Sequence, residues 1–160
     1  MNNTSHYFPD LDLTQVAALF DGDNNLTMQV SSWFYPIGGL FTSTGDWANF
    51  MRAILNCGSF NGNQILQPDT VEQMLTTIAP VNNQLAYNSN IGLIWREAQA
   101  NPGWIGHTGA GTQMTHVTEL DPLSNIGYVV FTNEGRIDGL VGPDSSLNVL
   151  IHRWLQQQIP

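Results

Sequence analysis

Hydrophobic positions recur with a helical period in two stretches of the first half of the chain. After Phe41, apolar residues three or four positions apart form one stripe: Trp47, Phe50, Met51, Ile54 and Leu55. The preceding segment Ser43–Asp46 fits a capping box, and Gly58 is suited to end the helix. A second, shorter helix is predicted from Pro68, with one apolar face: Val71, Met74 and Leu75. The polar residues 59–63 between the two helices are typical of a tight turn.

The second half of the chain has the pattern of β-strands. We predict strands over residues 91–97, 103–108, 113–120 and 127–132. His116 interrupts the alternation of the third strand, and Asp121–Asn125 predicts a turn that joins the last two strands as an antiparallel hairpin. A third helix is predicted from Pro143, with a buried stripe: Leu147, Leu150, Ile151, Trp154 and Leu155. Two helices, adjacent strands and a closing helix predict an α+β fold in which helices flank an antiparallel sheet.

Composition and charge narrow the classes of protein that this chain can represent. With 160 residues, 42% of them hydrophobic, it has the size of one folded domain. Residues 1 to about 35 lack a sustained period, so we expect them to pack against the rest of the chain. The net charge of −9 argues against nucleic acid and anionic membranes as partners. No apolar run reaches about 18 residues, so no membrane span is predicted, and the first residues lack the pattern of a signal peptide.

The chain contains no lysine, since its four basic residues are all arginines: Arg52, Arg96, Arg136 and Arg153. Within these 160 residues this excludes a P-loop, a lysine Schiff base and a Ser-x-x-Lys nucleophile. Cys57 is the only cysteine, which excludes an internal disulfide and a thiolate zinc cluster. Because Cys57 continues the helical pattern, we predict that it is a small buried residue.

One glycine-rich segment at the end of a predicted strand, Gly106–Thr112, is a candidate functional site. His107 and Thr108 supply polar groups there, and the glycines let the backbone approach a ligand while amides face a developing oxyanion. The same pattern is compatible with a glycine-rich β-turn that carries an exposed histidine. The histidines, at positions 6, 107, 116 and 152, are not spaced for joint metal binding. We predict that His116 faces solvent or is a satisfied core residue, and that His152 is solvated near a helix end.

Four segments, taken in order along the chain, resemble the serine β-lactamase and penicillin-recognising superfamily. The branch they resemble is the class C-like one, with its D-alanyl-D-alanine carboxypeptidases and esterases. Tyr35–Asp46 resembles the segment YPAGGL-hydrophobic-ST-x-x-D, and Asn61–Val71 resembles NGKRILSPETV. Gly106–Gly109 is similar to the Lys-Thr-Gly or His-Thr-Gly motif, and Leu120–Asn133 resembles the LDP…GVVVLTN hairpin. Met1–Ser5 also resembles the segment LGM-x-x-TS, so the resemblance covers nearly the whole chain.

The resemblance implies the C-terminal half of a β-lactamase/transpeptidase-like fold, without the portion that carries the nucleophile helix. Residues 1–90 would hold the remnant of the helical subdomain and its connecting helices. Residues 91–160 would hold the sheet hairpins and the C-terminal helix, and the two together would form one incomplete domain. The Ser-x-x-Lys and Tyr-x-Asn motifs that activate the family's serine are not in this sequence.

The resemblance also implies roles for four consecutive residues. His107 takes the place of the basic residue of the third motif, where it would move a proton or bind a substrate carboxylate. Thr108 would hydrogen-bond the substrate, Gly109 would leave room for it, and the Ala110 amide would be one of two oxyanion donors. His107 and Ala110 are therefore the candidate catalytic residues, and Thr108 and Gly109 the candidate substrate-binding residues. No nucleophile, metal ligand or cofactor is assigned.

The implied function is hydrolysis of an amide or ester, such as a β-lactam, a D-Ala peptide or a small ester, through an acyl-enzyme. We expect the chain to be inactive on its own. Two alternatives stay open: a non-catalytic ligand-binding or scaffold module of the same fold, and a half-enzyme completed by another chain. The expected partners are a small-molecule or peptide substrate, and either a second copy of the chain or a complementing N-terminal chain. Members of the family that this chain resembles are commonly periplasmic or extracellular, but the sequence assigns no compartment.

An incomplete domain of this kind would expose apolar surface. We expect a patch larger than about a few hundred Å². Its contributors would be four residues of the predicted strands: Trp104, Ile105, Val129 and Phe131.

Overall fold

The computed structural model describes residues 1–21, 23–27, 38–78, 90–98, 103–111, 113–133, 153–155 and 157–158. The chain divides into two compact units, each built from separate stretches of sequence. One unit consists of Met1–Thr44, Thr108–Val117 and Val130–Pro160. The other consists of Gly45–His107 and Thr118–Val129. Strands of a four-stranded sheet contribute residues to both units.

The first predicted helix is confirmed as α1, Thr44–Leu55. Its apolar stripe faces the core of the second unit, where Met51 and Ile54 are almost completely buried. The second predicted helix is confirmed as α2, Pro68–Leu75, and it buries Val71 in the same core. Trp95 and Leu120 complete the central cluster, so two helices and a sheet strand share one apolar centre.

The end of α1 corrects the prediction for Cys57. The amide of Gly58 donates to the carbonyl of Ala53 at 2.8 Å, and that of Cys57 donates to Ile54 at 3.2 Å. These two bonds form a Schellman motif, in which the residue before Gly58 takes the left-handed conformation. Cys57 has φ 49° and is exposed. The prediction of a buried cysteine was wrong because the helical period ends two residues before it.

The segment between the helices is a β-hairpin. Strands β5 (Ser59–Phe60) and β6 (Asn63–Gln64) pair antiparallel around a two-residue turn. Asn61 and Gly62 have φ of 50° and 79°, as a type I′ turn requires. The predicted tight turn is therefore confirmed, and its Asn-Gly sequence is the reason for its geometry.

The main sheet has four strands in the order β10 (Ile126–Thr132), β9 (Met114–Asp121), β8 (Ile105–Gly111) and β7 (Arg96–Glu97). Strands β8, β9 and β10 confirm the last three predicted strands, with shifts of at most three residues at their ends. Two residues separate β8 from β9 in the sequence, and the turn residues 122–125 connect β9 to β10. Antiparallel neighbours joined by such short connections form a β-meander.

The prediction of a strand over residues 91–97 was mostly wrong. Only Arg96–Glu97 forms a strand, β7, which pairs antiparallel with β8. The Gly92 amide donates to the Trp95 carbonyl at 2.7 Å, so the chain turns back on itself before β7. Ile91 instead forms isolated bridges to Ile78 and Arg96. This mostly apolar run therefore forms a turn and two isolated bridges. The periodicity of the sequence does not distinguish this arrangement from a strand.

The described part of the N-terminal stretch, up to residue 27, consists of short elements, in keeping with its lack of periodicity. Strand β1 (Thr4–Ser5) pairs with β4 (Phe41–Thr42), and the hydroxyls of Thr4 and Thr42 lie 2.8 Å apart. A 3₁₀ turn follows at Phe8–Asp10. Strands β2 (Leu19–Phe20) and β3 (Leu26–Thr27) form a hairpin.

Two side-chain hydrogen bonds tie this hairpin region to the sheet residues of the same unit. The Thr27 hydroxyl donates to Oε1 of Gln113 at 2.5 Å, and Nδ2 of Asn133 donates to the Ala18 carbonyl at 2.9 Å. These contacts confirm that the N-terminal stretch packs against the rest of the chain.

Most of the predicted C-terminal helix, together with His152, lies outside the described residues. Residues 153–155 are helical, and the Trp154 side chain is 58% exposed. The prediction that Trp154 is buried was wrong, because periodicity identifies one side of a helix but not whether another surface covers it. Within the described part of the chain, no helix has the length and apolar character needed to cross a membrane.

The four residues expected in an exposed apolar patch are half-buried instead. Ile105 and Val129 pack against the central cluster, and the Trp104 ring lies 5.8 Å from that of Tyr128. Phe131 contacts the imidazole of His116 edge-on. Each of the four therefore has neighbours within its own unit that the strand pattern did not reveal.

Candidate functional site

The candidate segment lies on a part of β8 that continues past its short neighbour. Strand β7 pairs with β8 only at Ile105 and Gly106. Strand β8 runs on to Gly111, so the four candidate residues, His107–Ala110, follow directly after the last position that pairs with β7. An extended ligand can add to a strand edge in such a position through backbone hydrogen bonds.

The polar side chains of the segment face outward. His107 and Thr108 are both exposed, and as neighbours on one strand they project from opposite faces of the sheet. Gly109 is half-buried. An imidazole and a hydroxyl can each donate or accept a hydrogen bond, so both faces of this strand present a polar group.

The position before His107 requires glycine for steric reasons. Gly106 is buried, and a Cβ on it would lie 2.3 Å from the Thr118 carbonyl oxygen and 2.7 Å from Cγ of Glu119. Strand β9 therefore approaches the β8 backbone closely at this point. Within the second unit, the contact holds Gly106, the residue before His107, against β9.

A side chain at the position after Thr108 would require a neighbouring ring to move. A Cβ on Gly109 would lie 1.9 Å from Cε1 of His116, and 2.6 and 2.7 Å from its two ring nitrogens. His116 is half-buried, and its ring meets that of Phe131 edge-on at 5.8 Å between centroids and 86° between planes. His116 thus lies between the two predicted alternatives, a solvent-facing residue and a satisfied core residue. The interrupted alternation at His116 was a visible signal of its position.

Strand β8 connects to β9 through Gln113, which has φ 62°. Its side-chain oxygen accepts the hydrogen bond from Thr27 described above. Thr27 also contacts the Leu19 carbonyl at 3.2 Å, so the β2–β3 hairpin supports the turn that follows the candidate segment.

Three carboxyl groups of the described residues have a lowered pKa, and none of them is part of the candidate segment. The Ser124 hydroxyl is the main cause of the lowered pKa of Asp121, at the β9–β10 turn. Hydrogen bonds from Thr14 and Asn25 lower the pKa of Asp12 and Asp21, respectively, in the N-terminal stretch. Across the described residues, no cluster of three or more histidine, cysteine or acidic side chains could hold a metal ion.

The sequence model of the family described as "Beta-lactamase" matches residues 1–146. The chain therefore belongs to the beta-lactamase family. Two curated relatives, from Escherichia coli O157:H7 and from strain K12, are each described as "Putative D-alanyl-D-alanine carboxypeptidase". Each is 30% identical to this chain, over 63% of the chain and 25% of the relative.

Two solved structures resemble the fold. An octameric penicillin-binding protein homologue from Pyrococcus abyssi matches 98% of this chain and 34% of its own, with a TM-score of 0.68 and 18% identity. A beta-lactamase/D-alanine carboxypeptidase from Pseudomonas syringae matches 99% of this chain and 50% of its own, with a TM-score of 0.72 and 15% identity.

These likenesses confirm the predicted fold class. The chain has a mixed fold of helices and antiparallel sheet of the β-lactamase and penicillin-binding-protein type. It spans a quarter of the length of the curated relatives and at most half the length of these two solved chains. Membership of the family supports a function related to serine hydrolases.

Proposed function

We propose that this chain supplies one wall of an acyl-transfer site, and that the wall is the β8 segment His107–Ala110. The observation that carries this proposal is the extension of β8 beyond β7, with His107 and Thr108 exposed on it. A substrate lying along this edge would meet an imidazole, a hydroxyl and backbone amides within four residues. These groups are suited to holding a polar acyl group and its developing negative charge.

Each residue has a distinct role in this proposal. The His107 ring donates a hydrogen bond to a substrate carboxylate or transfers a proton near the reacting carbonyl. The Thr108 hydroxyl hydrogen-bonds the substrate and fixes its register. Gly109 keeps the strand edge narrow, and the Ala110 amide donates to the oxyanion.

The proposed substrate is an amide or ester with a carboxylate near the scissile bond. A peptide ending in D-Ala-D-Ala is the first candidate, and β-lactams and small esters are the further ones. The descriptions of the Escherichia coli relatives as carboxypeptidases support this order. A terminal carboxylate would give His107 a charged partner, and charge-assisted hydrogen bonds are stronger than neutral ones.

The reaction also needs a nucleophile. A serine oxygen adds to the carbonyl carbon, the amine or alcohol leaves with a proton, and water then releases the acid and restores the serine. The 160 residues contain no lysine and therefore no Ser-x-x-Lys pair. We propose that this pair comes from another part of a longer chain or from a partner chain, and that these residues alone do not turn over substrate. Another copy of this chain cannot supply the pair, because it contains no lysine either. Self-association is therefore a separate possibility, and the octameric homologue supports testing it.

A titration of the purified chain with N-acetyl-D-Ala-D-Ala, followed by amide NMR, tests the site. We expect shift changes centred on Thr108–Gly111. His107→Ala and Thr108→Val should each weaken binding by about tenfold, the loss of one hydrogen bond to a charged or polar group. His6→Ala is the matched control, because His6 is also exposed but lies in the N-terminal stretch.

Two results would count against the proposal. The first is binding that shifts amides elsewhere and is unchanged by His107→Ala. The second is hydrolysis of nitrocefin by the chain alone, which would mean that these residues hold a nucleophile of another type. Binding of the peptide without hydrolysis, together with coding sequence in frame that supplies Ser-x-x-Lys and Tyr-x-Asn, would support it. A stand-alone binding module would bind the peptide but have no such coding sequence and no complementing chain.

A further inference from the structure

The imidazole of His116 occupies the space that a side chain on Gly109 would need. Its Cε1 atom lies 1.9 Å from the ideal Cβ position, far inside van der Waals contact. The backbone of Gly109 does not have a left-handed φ, so its conformation is open to any residue. A side chain at position 109 would therefore require the ring of His116 to move, whereas the backbone angle would accept it.

Phe131 holds this ring from another side. Its ring meets the imidazole edge-on at 5.8 Å, an arrangement that aromatic pairs favour. The three residues belong to the same unit and to three consecutive strands of one sheet, β8, β9 and β10. The imidazole is therefore confined between the β8 backbone and a large aromatic side chain.

We propose that His116 is a positioning residue that fixes the peptide between Gly109 and Ala110. Glycine has more backbone freedom than any other residue, so a strand segment centred on glycine is poorly ordered unless something packs against it. The imidazole supplies that packing at the residue before the amide that we assign to the oxyanion. A fixed donor stabilises charge in the transition state without reorganising, so the orientation of this amide matters for the chemistry.

The same packing restricts how substrate approaches. The space beside Gly109 on the face that His116 covers is filled, so a substrate has to lie along the edge of β8 or over its other face. The room that the family resemblance implies at Gly109 is therefore occupied by a side chain of the protein itself. This inference rests on the proposed function for its catalytic meaning, but the packing itself can be tested without any ligand.

Amide ¹⁵N relaxation of the ligand-free chain tests the positioning directly. His116→Ala should lower the order parameter of the Ala110 amide from about 0.85, typical of rigid backbone, to about 0.6 or less. The amides of Val117 and Leu120 in the same sample report on the rest of the sheet and should change much less. His116→Phe keeps an aromatic ring against Gly109 and should restore the order parameter at Ala110. A decrease at all three amides together, or none at Ala110, would overturn the proposal.

Gly109→Ala gives a reciprocal test. In the wild-type background the new methyl group meets the imidazole, and we expect the order parameter of the Ala110 amide to fall as the ring is displaced. In the His116→Ala background the methyl group fits, and Gly109→Ala should have little further effect. Equal effects of Gly109→Ala in both backgrounds would contradict the packing on which the proposal depends.

Binding of N-acetyl-D-Ala-D-Ala separates this inference from the proposed function. If the wild-type chain binds the peptide, His116→Ala should weaken binding by about tenfold and His116→Phe should restore it. Unchanged affinity in His116→Ala would overturn the positioning role even if the packing is present. If no variant binds, including wild type, the proposed function fails, and the order parameter of the Ala110 amide alone decides whether His116 orders this backbone.

Discussion

The indole Nε1 of Trp47 donates a 2.8 Å hydrogen bond to the hydroxyl of Thr118, which is 1% exposed. This bond connects the first half of α1 to the middle of β9, 71 residues further along the chain. Thr118 is a polar residue at a buried position of β9. A buried hydroxyl requires a partner, so the indole makes a threonine acceptable at this place in the sheet.

Removing the indole N–H should therefore destabilise the fold, because the buried Thr118 hydroxyl loses this hydrogen-bond partner. We expect Trp47→Phe to lower the free energy of unfolding by about 1–3 kcal/mol, the cost of an unsatisfied buried polar group. The measurement is urea unfolding followed by circular dichroism. Thr118→Val in the Trp47→Phe background should cost less than it does in wild type, because the stranded hydroxyl is then removed. Strict additivity of the two substitutions would show that the bond does not contribute.

Two glycines with the same backbone conformation should differ in their tolerance of alanine. Gly58 and Gly62 have φ of 83° and 79°, but a Cβ on Gly58 would lie 2.2 Å from the Leu66 carbonyl oxygen, whereas one on Gly62 would meet nothing within 4 Å. We expect Gly62→Ala to cost about 1 kcal/mol from the left-handed backbone alone. Gly58→Ala should cost clearly more, because it adds a clash with backbone. Equal unfolding free energies of the two variants would contradict this.

The contrast between Leu120 and Leu123 tests the assignment of the core. Leu120 is completely buried in the central cluster, and Leu123 is 94% exposed in the following turn. We expect Leu120→Ala to lower the free energy of unfolding by about 2–5 kcal/mol, through lost burial and the cavity left behind. Leu123→Ala should change it by less than about 0.5 kcal/mol. Chemical denaturation of both variants in parallel is the measurement, and a similar small effect in each would mean that the core lies elsewhere.

The turn between β9 and β10 should contribute stability that depends on pH. The Ser124 hydroxyl and the amides of Leu123 and Ser124 hydrogen-bond the Asp121 carboxylate and lower its pKa below 3.8. A lowered pKa in the folded state means that the contribution is complete above the unfolded pKa and is lost as the pH falls through the folded one. We expect Asp121→Asn to be less stable than wild type at about pH 6, and the difference to shrink below about pH 3. A difference that stays constant over this range would show that the charge of the carboxylate plays no part.

The local elements of this protein were predictable because the interactions that define them are close in sequence. The stripe of α1, the Pro68 start of α2 and the Asn61-Gly62 turn each depend on residues within a few positions of one another. Local propensity and backbone geometry act alike in the isolated segment and in the fold. The three long strands, β8, β9 and β10, were predictable for the same reason. The order of motifs, rather than any one of them, indicated the family.

Two of the failures depend on other segments of the chain, whereas the one at Cys57 comes from the local end of α1. Apolar residues 91–95 have the composition of a strand, yet the chain turns there, and a Cβ on Gly92 would lie 2.9 Å from the carbonyl oxygens of both Met74 and Thr76. Trp154 belongs to an apolar stripe, but its side chain is exposed. In both cases the outcome depends on which surface lies opposite the residue, and periodicity describes only one of the two surfaces.

The candidate site was likewise predictable from the sequence only in part. The residue types of His107, Thr108 and Gly109 could be identified from the chain itself, because their chemistry and spacing are local properties. The role of His116 could not, since it depends on the pairing of β8 with β9, which brings its ring onto Gly109, and on Phe131 from β10. Which groups the candidate segment contains is a property of the sequence. How rigidly its backbone is held is a property of the assembled sheet, because packing between neighbouring strands exists only after the strands have paired.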